Sequence, residues 1–434
     1  MTTTTVPAQR TRSAAALSVL GADLTVPVSS GELVPYANLD YAASAPCLRP
    51  VRDAIDAALP AYSSVHRGAG YASQLTTQRY EQARHSVRAF AGAREDDAVI
   101  FTRNTTDAMN LLSGALPPYT TVVVFETEHH AALLPWQRGH RVVRLAAPRS
   151  PAEAVAAARQ ALSTGPVGSR LLAVTAASNV TGELWPIAEL ARVAHEAGAR
   201  IVVDAAQLAP HRPLEIAALD LDYVAFSGHK LYAPFGAGVL IGRPDWLSAA
   251  EPYLYGGGAS RNVTSDVEWH EDPEQRHEAG TPNVLGALAL AAACDALTAT
   301  GWDSLIAEEE RLLARLRTGL AEIPGVRELT LWDEQPRVGI VSFVVDGWTA
   351  REVAEKLSSD HAIGVRDGKF CAHPFVRHLL GAPDTDPATE PGGSGCGTAG
   401  TATAIRASFG VGTQEEHIDR LLLALHQIAT TTPA

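Results

Sequence analysis

Two apolar runs of the chain each deliver polar residues to the point where a strand would end. The run Ile201–Val203 is followed directly by Asp204, and the run Tyr223–Phe226 is followed by Ser-Gly-His and then Lys230. Short, wholly apolar runs of this kind are typical of strands buried on both faces of an α/β sheet. Because ligands bind in the crevice at the carboxyl ends of such strands, Asp204 and Lys230 are predicted to face one site.

An aspartate and a lysine placed in this way match the needs of pyridoxal 5'-phosphate (PLP). This cofactor takes a lysine amine for its Schiff base and a carboxylate that keeps its pyridine nitrogen protonated. Such a lysine requires a depressed pKa, which a compact turn from Ser227 to Lys230, followed by the flexible stretch 234–238, can provide. Each residue also has a simpler interpretation, Asp204 as a helix N-cap and Lys230 as a solvated surface charge. The two segments together favour the cofactor.

The pattern around these runs predicts the architecture. Seven apolar runs alternate with alanine-rich helical stretches such as Pro186–Ala197, which is typical of a mostly parallel sheet covered by helices. The predicted fold class is therefore α/β, with one large, mostly parallel, seven-stranded sheet. The predicted strands are Ala98–Thr102, Thr121–Phe125, Val142–Leu145, Leu171–Ala176, Arg200–Asp204, Tyr223–Phe226 and Gly238–Gly242.

The character of the chain changes after about residue 300. A charged helix, Leu305–Ile323, precedes separate strands at Ile340–Val345 and Ala404–Phe409. Capping boxes at Thr349 and Thr413 predict the starts of two further helices. The predicted regions are a mobile N-terminal extension at 1–30, a large domain at 31–300 and a smaller α+β domain at 301–434, the last with a mobile loop at 381–402 that contains Cys396.

Composition excludes several classes of function. The chain has 434 residues and a formal net charge of −13, so nonspecific binding to nucleic acid is not expected. No apolar run is long enough to span a membrane, and the start of the chain lacks the pattern of a secretory signal. Four cysteines without a CxxC pair or zinc spacing indicate neither a disulfide scaffold nor a metal site. A reducing cytoplasm is therefore the expected location.

Several further stretches resemble one known family. The segments around Asp204 and Lys230 resemble the signature of class V aminotransferases, which are PLP enzymes of fold type I. Within that family the likeness is to cysteine desulfurases and selenocysteine lyases of the Suf type, group II. The likeness extends over nearly the whole chain after residue 30, through stretches at 38–45, 64–68, 101–108, 127–131, 178–182 and 278–283.

The resemblance implies a role for each polar residue around the cofactor. The turn 101–108 would cradle the phosphate, because a helix N-terminus is an anion site, although its threonines have a simpler interpretation as N-caps. His129 would stack on the PLP ring; a metal at this His/Glu cluster is disfavoured because no matching ligand set appears elsewhere. Asn179 would contact the substrate or the phenolic oxygen of the cofactor, although it also fits an ordinary Asn/Gly turn. The implied cofactor residues are Thr105, Thr106, His129, Asn179, Asp204, Gln207, Ser227, His229 and Lys230, with Thr281 reaching the phosphate of a neighbouring subunit.

Two segments in the last third of the chain contain the expected substrate-binding and nucleophilic residues. By resemblance, Arg406 would clamp the substrate carboxylate, which a guanidinium binds bidentately, and Arg366 would be a second substrate-binding arginine. Cys371 resembles the nucleophile of the family's catalytic loop, and Lys369 or His373 nearby would lower its pKa. Its simpler interpretation is a small buried residue. Family members more often carry Gly-His-His-Cys or Gly-Cys-x-Cys where this chain has Gly-Lys-Phe-Cys.

Together these residues predict a PLP-dependent cysteine desulfurase-like enzyme that works as a homodimer and passes sulfur to an acceptor protein. Lys230 would remove the Cα proton, Cys371 would take the substrate sulfur and L-alanine would be released, with His129 as a third catalytic residue. The closest alternative is a class V C–S lyase, epimerase or aminotransferase that uses the same site without Cys371. A remote alternative is an inactive PLP-fold binding subunit, against which the intact Asp204, Lys230 and Arg406 argue.

Overall fold

The structure of the protein is a computed structural model that describes residues 17–164, 168–383 and 402–431. Its centre is a seven-stranded sheet, here the large sheet, in which Gly238–Gly242 runs antiparallel to both neighbours and the other neighbouring pairs are parallel. In spatial order its strands are Ala98–Thr102, Gly238–Gly242, Tyr223–Ser227, Arg200–Asp204, Arg170–Thr175, Thr121–Phe125 and Arg141–Leu145.

The predicted α/β fold with a large, mostly parallel sheet is confirmed. All seven predicted strands are present, and their ends agree with the prediction to within one residue. The reason is that alternate side chains of each strand enter cores on opposite faces, so a wholly apolar run fits only the middle of a covered sheet. In one strand, Ile201 and Val203 pack into the core on one face and Val202 into the core on the other.

Helices cover both faces of the large sheet. Tyr71–Phe90 and Val284–Thr300 pack against each other on one face, and Thr105–Ala115 lies on the opposite face. The predicted helix Pro186–Ala197 is observed as Ile187–Glu196. The remaining helices before residue 300 are Arg49–Ala58, His130–Leu133, Pro151–Thr164, Pro244–Ala249 and Pro273–His277, with 3-10 turns at Leu59–Ala61 and Pro135–Gln137.

A second sheet of four antiparallel strands, here the small sheet, lies in the last third of the chain. Its register places Ser342, Arg406 and Arg366 in one row across three neighbouring strands. Leu39 packs into the core of this sheet, so core contacts connect parts of the chain on either side of residue 300. The predicted domain boundary at residue 300 stays a prediction. The strands, in spatial order, are Val326–Leu329, Ile340–Val345, Ala404–Ser408 and Arg366–Gly368, and the helices of this part are Trp302–Ala321, Ala350–His361, His373–Leu379 and Glu415–Ala429.

The described part of the predicted N-terminal extension, residues 17–30, contacts the rest of the chain. Thr25–Pro27 pairs with Leu33–Pro35, and the Leu20 N–H donates to the Cys47 carbonyl at 2.8 Å. Val19 is buried, so its apolar side chain holds this segment against the body. Residues 1–16, and residues 384–401 of the predicted loop with Cys396, lie outside the described residues. The two remaining short pairs of strands are Ala37–Asn38 with Ile363–Gly364 and Ser260–Val263 with Val267–Trp269.

One of the two predicted capping boxes is wrong. Thr349 forms its box with Glu352 as predicted. Before the last helix, however, the N-cap is Gln414 and its partner is His417. The Thr413 hydroxyl is engaged elsewhere, because it accepts the N–H of Gly410 at 3.2 Å and closes the preceding turn. A hydroxyl used in this way is not available to the helix.

Across the described ranges, no single helix has the length and hydropathy of a membrane span. The pair Val284–Thr300 and Trp302–Ala321 meets both criteria only when the two helices are taken together, and they meet at a bend of 86°.

Candidate active site

The carboxyl ends of the large-sheet strands open into a cavity of about 450 Å³, and residues of the small sheet form part of its wall. Of the predicted catalytic, cofactor-binding and substrate-binding residues, all of which lie in the described ranges, Thr281 alone does not line it. The large-sheet residues meet here because parallel strands end at the same edge of the sheet. Arg366 and Arg406 lie on strands of the small sheet. The predicted residues along the wall are Thr105, Thr106, His129, Asn179, Asp204, Gln207, Ser227, His229, Lys230, Arg366, Cys371 and Arg406.

Asp204 ends one strand of the large sheet, and Lys230 lies in the turn that follows the neighbouring strand Tyr223–Ser227. Asp204 is the last residue of its strand and pairs in register with Ala225 of the next one. Burial lowers the pKa of Lys230 to about 8, and the Asp204 carboxylate opposes this change. Burial raises the pKa of Asp204, while the Lys230 charge and the Ala206 N–H, 2.9 Å from Oδ1, oppose that rise. An amine with this pKa is a usable nucleophile and base near neutral pH.

Neither simpler interpretation of these two residues holds. The segment 205–212 that follows Asp204 consists of turns, so the carboxylate does not cap a helix. Lys230 lines the cavity instead of the outer surface. The structure therefore places Asp204 and Lys230 at one cavity, and their role as the reactive centre stays a prediction.

The N-terminus of helix Thr105–Ala115 forms the polar end of the cavity. Asn104 caps this helix by accepting a backbone N–H of the first turn at 3.0 Å, so neither Thr105 nor Thr106 is the N-cap. The Ser227 Oγ lies 2.7 Å from the Thr105 Oγ1 and accepts the Thr105 N–H at 2.8 Å. Hydroxyls grouped at a helix N-terminus form a site for an anion such as phosphate.

Two further residues shape this end of the cavity. A Cβ added to Gly238 would lie 2.6 Å from the Cα of Asn104, so only glycine lets the helix start so close to the sheet. His229 is half-buried, and burial together with the Lys230 charge lowers its pKa to about 4. His229 is therefore a neutral hydrogen-bonding group at physiological pH.

His129 presents a neutral ring to the cavity. Its Nδ1 accepts the N–H of Ala131 at 3.0 Å, which places the ring proton on Nε2. Burial lowers the pKa of His129 to about 3, and the charges of Lys230 and Arg406 act in the same direction. An uncharged, fixed imidazole suits stacking on an aromatic cofactor. In the described parts of the chain, no three His, Cys, Asp or Glu side chains converge as metal ligands.

Two side-chain amides hold backbone carbonyls beside the cavity. Asn179 donates from Nδ2 to the Phe370 carbonyl at 2.8 Å, and Gln207 donates from Nε2 to the Ala42 carbonyl at 2.8 Å. Asn179 therefore does more than form a turn, because it ties the large-sheet side of the cavity to the loop that carries Cys371. Each amide still has a second N–H for a ligand.

Arg406 stands at the centre of the small-sheet wall. It donates from Nη1 to the Asn179 carbonyl at 3.0 Å and from Nη2 to Asp40 Oδ1 at 3.3 Å. Arg366 approaches the other oxygen of Asp40, with Nε 3.3 Å from Oδ2. Burial lowers the pKa of Arg406 to about 10, so the guanidinium remains charged at neutral pH. Its Cζ lies 5.0 Å from the centre of the Phe370 ring, a cation–π contact.

Cys371 lies in a tightly held loop. Phe370 and Cys371 both have φ values of 52°, in the left-handed region that side chains other than glycine rarely adopt. Both carbonyls of this strained pair accept hydrogen bonds. The Phe370 carbonyl accepts one from the Asn179 side chain, and the Cys371 carbonyl accepts one from the His130 N–H at 2.8 Å. Cys371 is partly exposed and lines the cavity, so it is not the small buried residue of the simpler interpretation. Its predicted low pKa stays a prediction.

The profile of the aminotransferase class-V family matches residues 37–421. The chain belongs to this family. Members of the family include enzymes that are named for sulfur removal. The cysteine desulfurase of Dickeya dadantii is 36% identical over 406 residues, which cover 91% of this chain and 92% of that protein. The cysteine desulfurase of Haloferax volcanii is 34% identical and covers 94% of this chain and 92% of its own length.

Solved structures of two cysteine desulfurases agree with this fold. The cysteine desulfurase CsdA of Escherichia coli aligns with a TM-score of 0.76 and 31% identity, covering 90% of this chain and 94% of that chain. The cysteine desulfurase of Thermococcus onnurineus aligns with a TM-score of 0.78 and 31% identity, covering 91% and 94%. Fold type I is therefore the architecture of this class V protein. Its place within the Suf-type subgroup stays a prediction.

Thr281 is exposed and lies away from the cavity of its own chain. Its neighbours Gly280 and Pro282 line a second cavity of about 550 Å³, together with residues such as Arg67. A role in the cavity of a partner subunit is compatible with this position and stays a prediction.

Two residues at the site were missed in the sequence. Asp40 contacts both Arg406 and Arg366, because the segment around Asp40 lies beside the small-sheet strand that carries Arg406. Glu128 is fully buried and accepts the Thr175 N–H at 3.1 Å. Burial raises its pKa well above the usual range, and the Asp204 charge acts in the same direction. Both residues lie in stretches that resemble the family, Asp40 just before Tyr41 and Glu128 just before His129. Neither stretch indicated which residues Asp40 and Glu128 would contact.

Proposed function

We propose that this protein is a PLP-dependent cysteine desulfurase that takes sulfur from L-cysteine, releases L-alanine and leaves a persulfide on Cys371. The observation that carries the proposal is that Asp204, Lys230, Arg406 and Cys371 line one cavity. The first three suit amino-acid chemistry in general with this cofactor, whereas the thiol is specific to sulfur transfer. The identities of 36% and 31% to proteins named as cysteine desulfurases support the same assignment.

The residues around the cavity fit PLP. The hydroxyls at the helix N-terminus suit the phosphate, and the neutral ring of His129 suits stacking on the pyridine ring. Asp204 suits the protonated ring nitrogen, which would give this buried carboxylate a further positive neighbour. The volume of about 450 Å³ lies within the range of roughly 300–1,000 Å³ that small-molecule sites span.

When bound, PLP supplies an electron sink for bond breaking next to the amino group of the substrate. The chain supplies binding and proton transfer. Arg406 binds the substrate carboxylate through charge-assisted hydrogen bonds. Lys230 takes the Cα proton on Nζ, which is available because its pKa is near 8. His129 can donate from Nε2 without adding a positive charge to the site.

Cys371 accepts the sulfur. Its thiolate attacks the sulfur of the substrate, so a sulfur–sulfur bond forms while the carbon–sulfur bond of the substrate breaks. The electron pair left on that carbon takes up a proton, and the amino acid leaves as alanine. The sulfur on Cys371 then requires an acceptor, either a protein or a small thiol, that reduces the persulfide. None of the three described cysteines, Cys47, Cys294 and Cys371, forms a disulfide, which fits a reducing compartment such as the cytoplasm.

The test is incubation of the purified protein with PLP and a panel of amino acids, with a dithiol to release bound sulfur. We expect L-cysteine to yield alanine and sulfide in equal amounts. Quantification of alanine, pyruvate and sulfide from each amino acid separates the candidate reactions. Pyruvate with sulfide would identify a C–S lyase and overturn the desulfurase proposal, as would turnover of other amino acids without sulfide.

One observation favours the runner-up, a class V C–S lyase, epimerase or aminotransferase. The residues before Cys371 are Lys369 and Phe370, which differ in charge and bulk from those that the family more often carries. Phe370 lines the cavity beside Arg406, so it changes the space in which the substrate side chain lies. The same panel tests this alternative.

We further propose that the active unit is a homodimer in which Thr281 acts in the cavity of the partner subunit. Lys230→Met and Thr281→Val should each be nearly inactive alone. A mixed dimer of the two should regain activity, because one of its two cavities receives an intact lysine and an intact threonine. Activity of refolded or co-expressed mixtures measures this directly.

The matched control is a mixture of Lys230→Met with Cys371→Ser. Both residues line the same cavity of one chain, so no mixed dimer contains an intact site and no activity should return. Failure of the Thr281→Val mixture to regain activity would contradict the exchange of Thr281 between subunits.

A further inference from the structure

The turn Ser178–Gly182 follows a strand of the large sheet and packs against the small sheet. It leaves the large sheet just after the strand Arg170–Thr175 and is closed by the Gly182 N–H, which donates to the Ser178 carbonyl at 3.0 Å. Gly182 has a φ of 75°, and a Cβ there would lie 2.6 Å from the Ile340 carbonyl oxygen. The turn is therefore pressed against the start of a small-sheet strand, with no room for a side chain at Gly182.

Two buried charges fasten this turn. Glu183 and Arg337 face each other across an isolated antiparallel bridge, with Arg337 Nη2 3.1 Å from Glu183 Oε1. Their side chains are 0% and 1% exposed, which makes this a fully desolvated ion pair. Glu183 also accepts the Thr181 hydroxyl at 2.6 Å, and Arg337 donates from Nη1 to the Thr181 carbonyl at 3.2 Å. Both members of the pair thus bond the same residue of the turn.

The other side of the turn holds the substrate-binding wall. Ser342 and Arg406 are paired in register on neighbouring strands, and they donate to consecutive carbonyls of the turn. Arg406 bonds the Asn179 carbonyl at 3.0 Å, and Ser342 bonds the Val180 carbonyl at 2.5 Å. The Asn179 side chain in turn bonds the Phe370 carbonyl, one residue before the thiol. A shift of the turn would therefore move Arg406 and the Cys371 loop together.

We propose that Arg337 and Glu183 are positioning residues for the substrate carboxylate: they fix the turn Ser178–Gly182, which fixes the Arg406 guanidinium relative to Cys371. Neither residue lines the cavity, so the effect passes through the turn. The proposal rests on the proposed function, in which Arg406 binds a carboxylate next to the thiol.

The chemistry of the guanidinium explains why an arginine stands at position 337. Besides the Thr181 carbonyl and Glu183, it bonds Glu328 from Nη1 at 3.1 Å and the Trp332 carbonyl from Nη2 at 3.1 Å. A planar fork satisfies these acceptors in fixed directions, whereas a lysine ammonium keeps the charge without that geometry. Arg337→Lys therefore tests positioning while leaving the charge of the buried pair in place.

The experiment compares two alkylating reagents on the PLP-loaded protein. Iodoacetate and iodoacetamide both bond to the Cys371 sulfur with loss of iodide, but only iodoacetate carries a carboxylate for Arg406. The ratio of their rates at Cys371, measured by peptide mass spectrometry, reports the position of Arg406 relative to the thiol. Changes in thiol pKa or in access to the loop affect both reagents and largely cancel in the ratio.

We expect Arg406→Met to lower the iodoacetate-to-iodoacetamide ratio by about tenfold, the scale of one charge-assisted hydrogen bond. Arg337→Lys should lower the ratio toward the Arg406→Met value and raise KM for cysteine more than it lowers kcat. Glu183→Gln, which keeps the shape and the acceptor oxygen, should fall in between and serves if Arg337→Lys does not fold. Arg317→Lys is the control, because Arg317 contacts Glu328 from the partly exposed side. It should leave the ratio unchanged.

The outcomes separate the two proposals. If Arg406→Met leaves the ratio unchanged, Arg406 does not bind carboxylates and the proposed function fails. If Arg406→Met lowers the ratio but folded Arg337→Lys and Glu183→Gln keep the wild-type value, the proposed function stands and the positioning role is overturned.

Discussion

Replacement of Lys230 by methionine is expected to lower alanine release from cysteine by at least about 10³-fold, equivalent to about 4 kcal/mol of transition-state stabilisation. The amine is both the attachment point for the cofactor and the general base, so no neighbouring group replaces it. Methionine keeps the length and the apolar stem of lysine, and it removes an amine whose pKa burial already lowers to about 8. We therefore expect the variant to fold. Alanine release, thermal midpoint and bound PLP are the three measurements.

Borohydride reduction followed by peptide mapping checks the same assignment on the wild type. The pyridoxyl group should be found on Lys230, and Lys230→Met should give no labelled peptide. Lys356→Met is the matched control, because that lysine lies on the outer surface near Asp360 and should change nothing. Labelling of any other lysine in the wild type, or full turnover by Lys230→Met, would contradict the assignment of the reactive centre.

The large sheet and its half of the site were predictable because their signals are local. An apolar run such as Ile201–Val203 has few alternatives to a buried parallel strand, and the residue after it must then face the ligand crevice. Asp204 and Lys230 both follow such runs, and the structure brings both to the cavity. The start of helix Thr105–Ala115 was predicted from the resemblance of the turn 101–108 to a phosphate-binding turn that leads into a helix.

The other half of the site depends on contacts between distant parts of the chain. Asp40 and Arg406 are separated by 366 positions, and Glu183 and Arg337 by 154, so no local pattern connects them. Helix capping likewise depends on which group the Thr413 hydroxyl bonds. Because this hydroxyl accepts the Gly410 N–H, Gln414 becomes the N-cap of the last helix. Such choices are made by tertiary packing, which a single sequence does not display.

Cys371→Ser is the variant that separates the desulfurase from every other class V reaction considered for this chain. A serine hydroxyl is a poor nucleophile at neutral pH, so it cannot take up the sulfur. We expect alanine release from L-cysteine to fall by about 10³-fold or more, as is usual when a covalent nucleophile is removed. PLP binding should be retained, because Asp204 and Lys230 are unchanged. The left-handed backbone at position 371 is already strained for cysteine, and serine adds no bulk.

The control is Cys47→Ser, which changes a partly exposed thiol outside the cavity and should leave turnover intact. A parallel assay with L-selenocysteine adds a second comparison, because selenium leaves carbon more easily without a thiol acceptor. Cys371→Ser should therefore lose much less activity on selenocysteine than on cysteine. Equal alanine release from cysteine by the wild type and by Cys371→Ser would end the desulfurase proposal. It would leave Asp204, Lys230 and Arg406 in place for a lyase, epimerase or aminotransferase, whose chemistry needs no thiol.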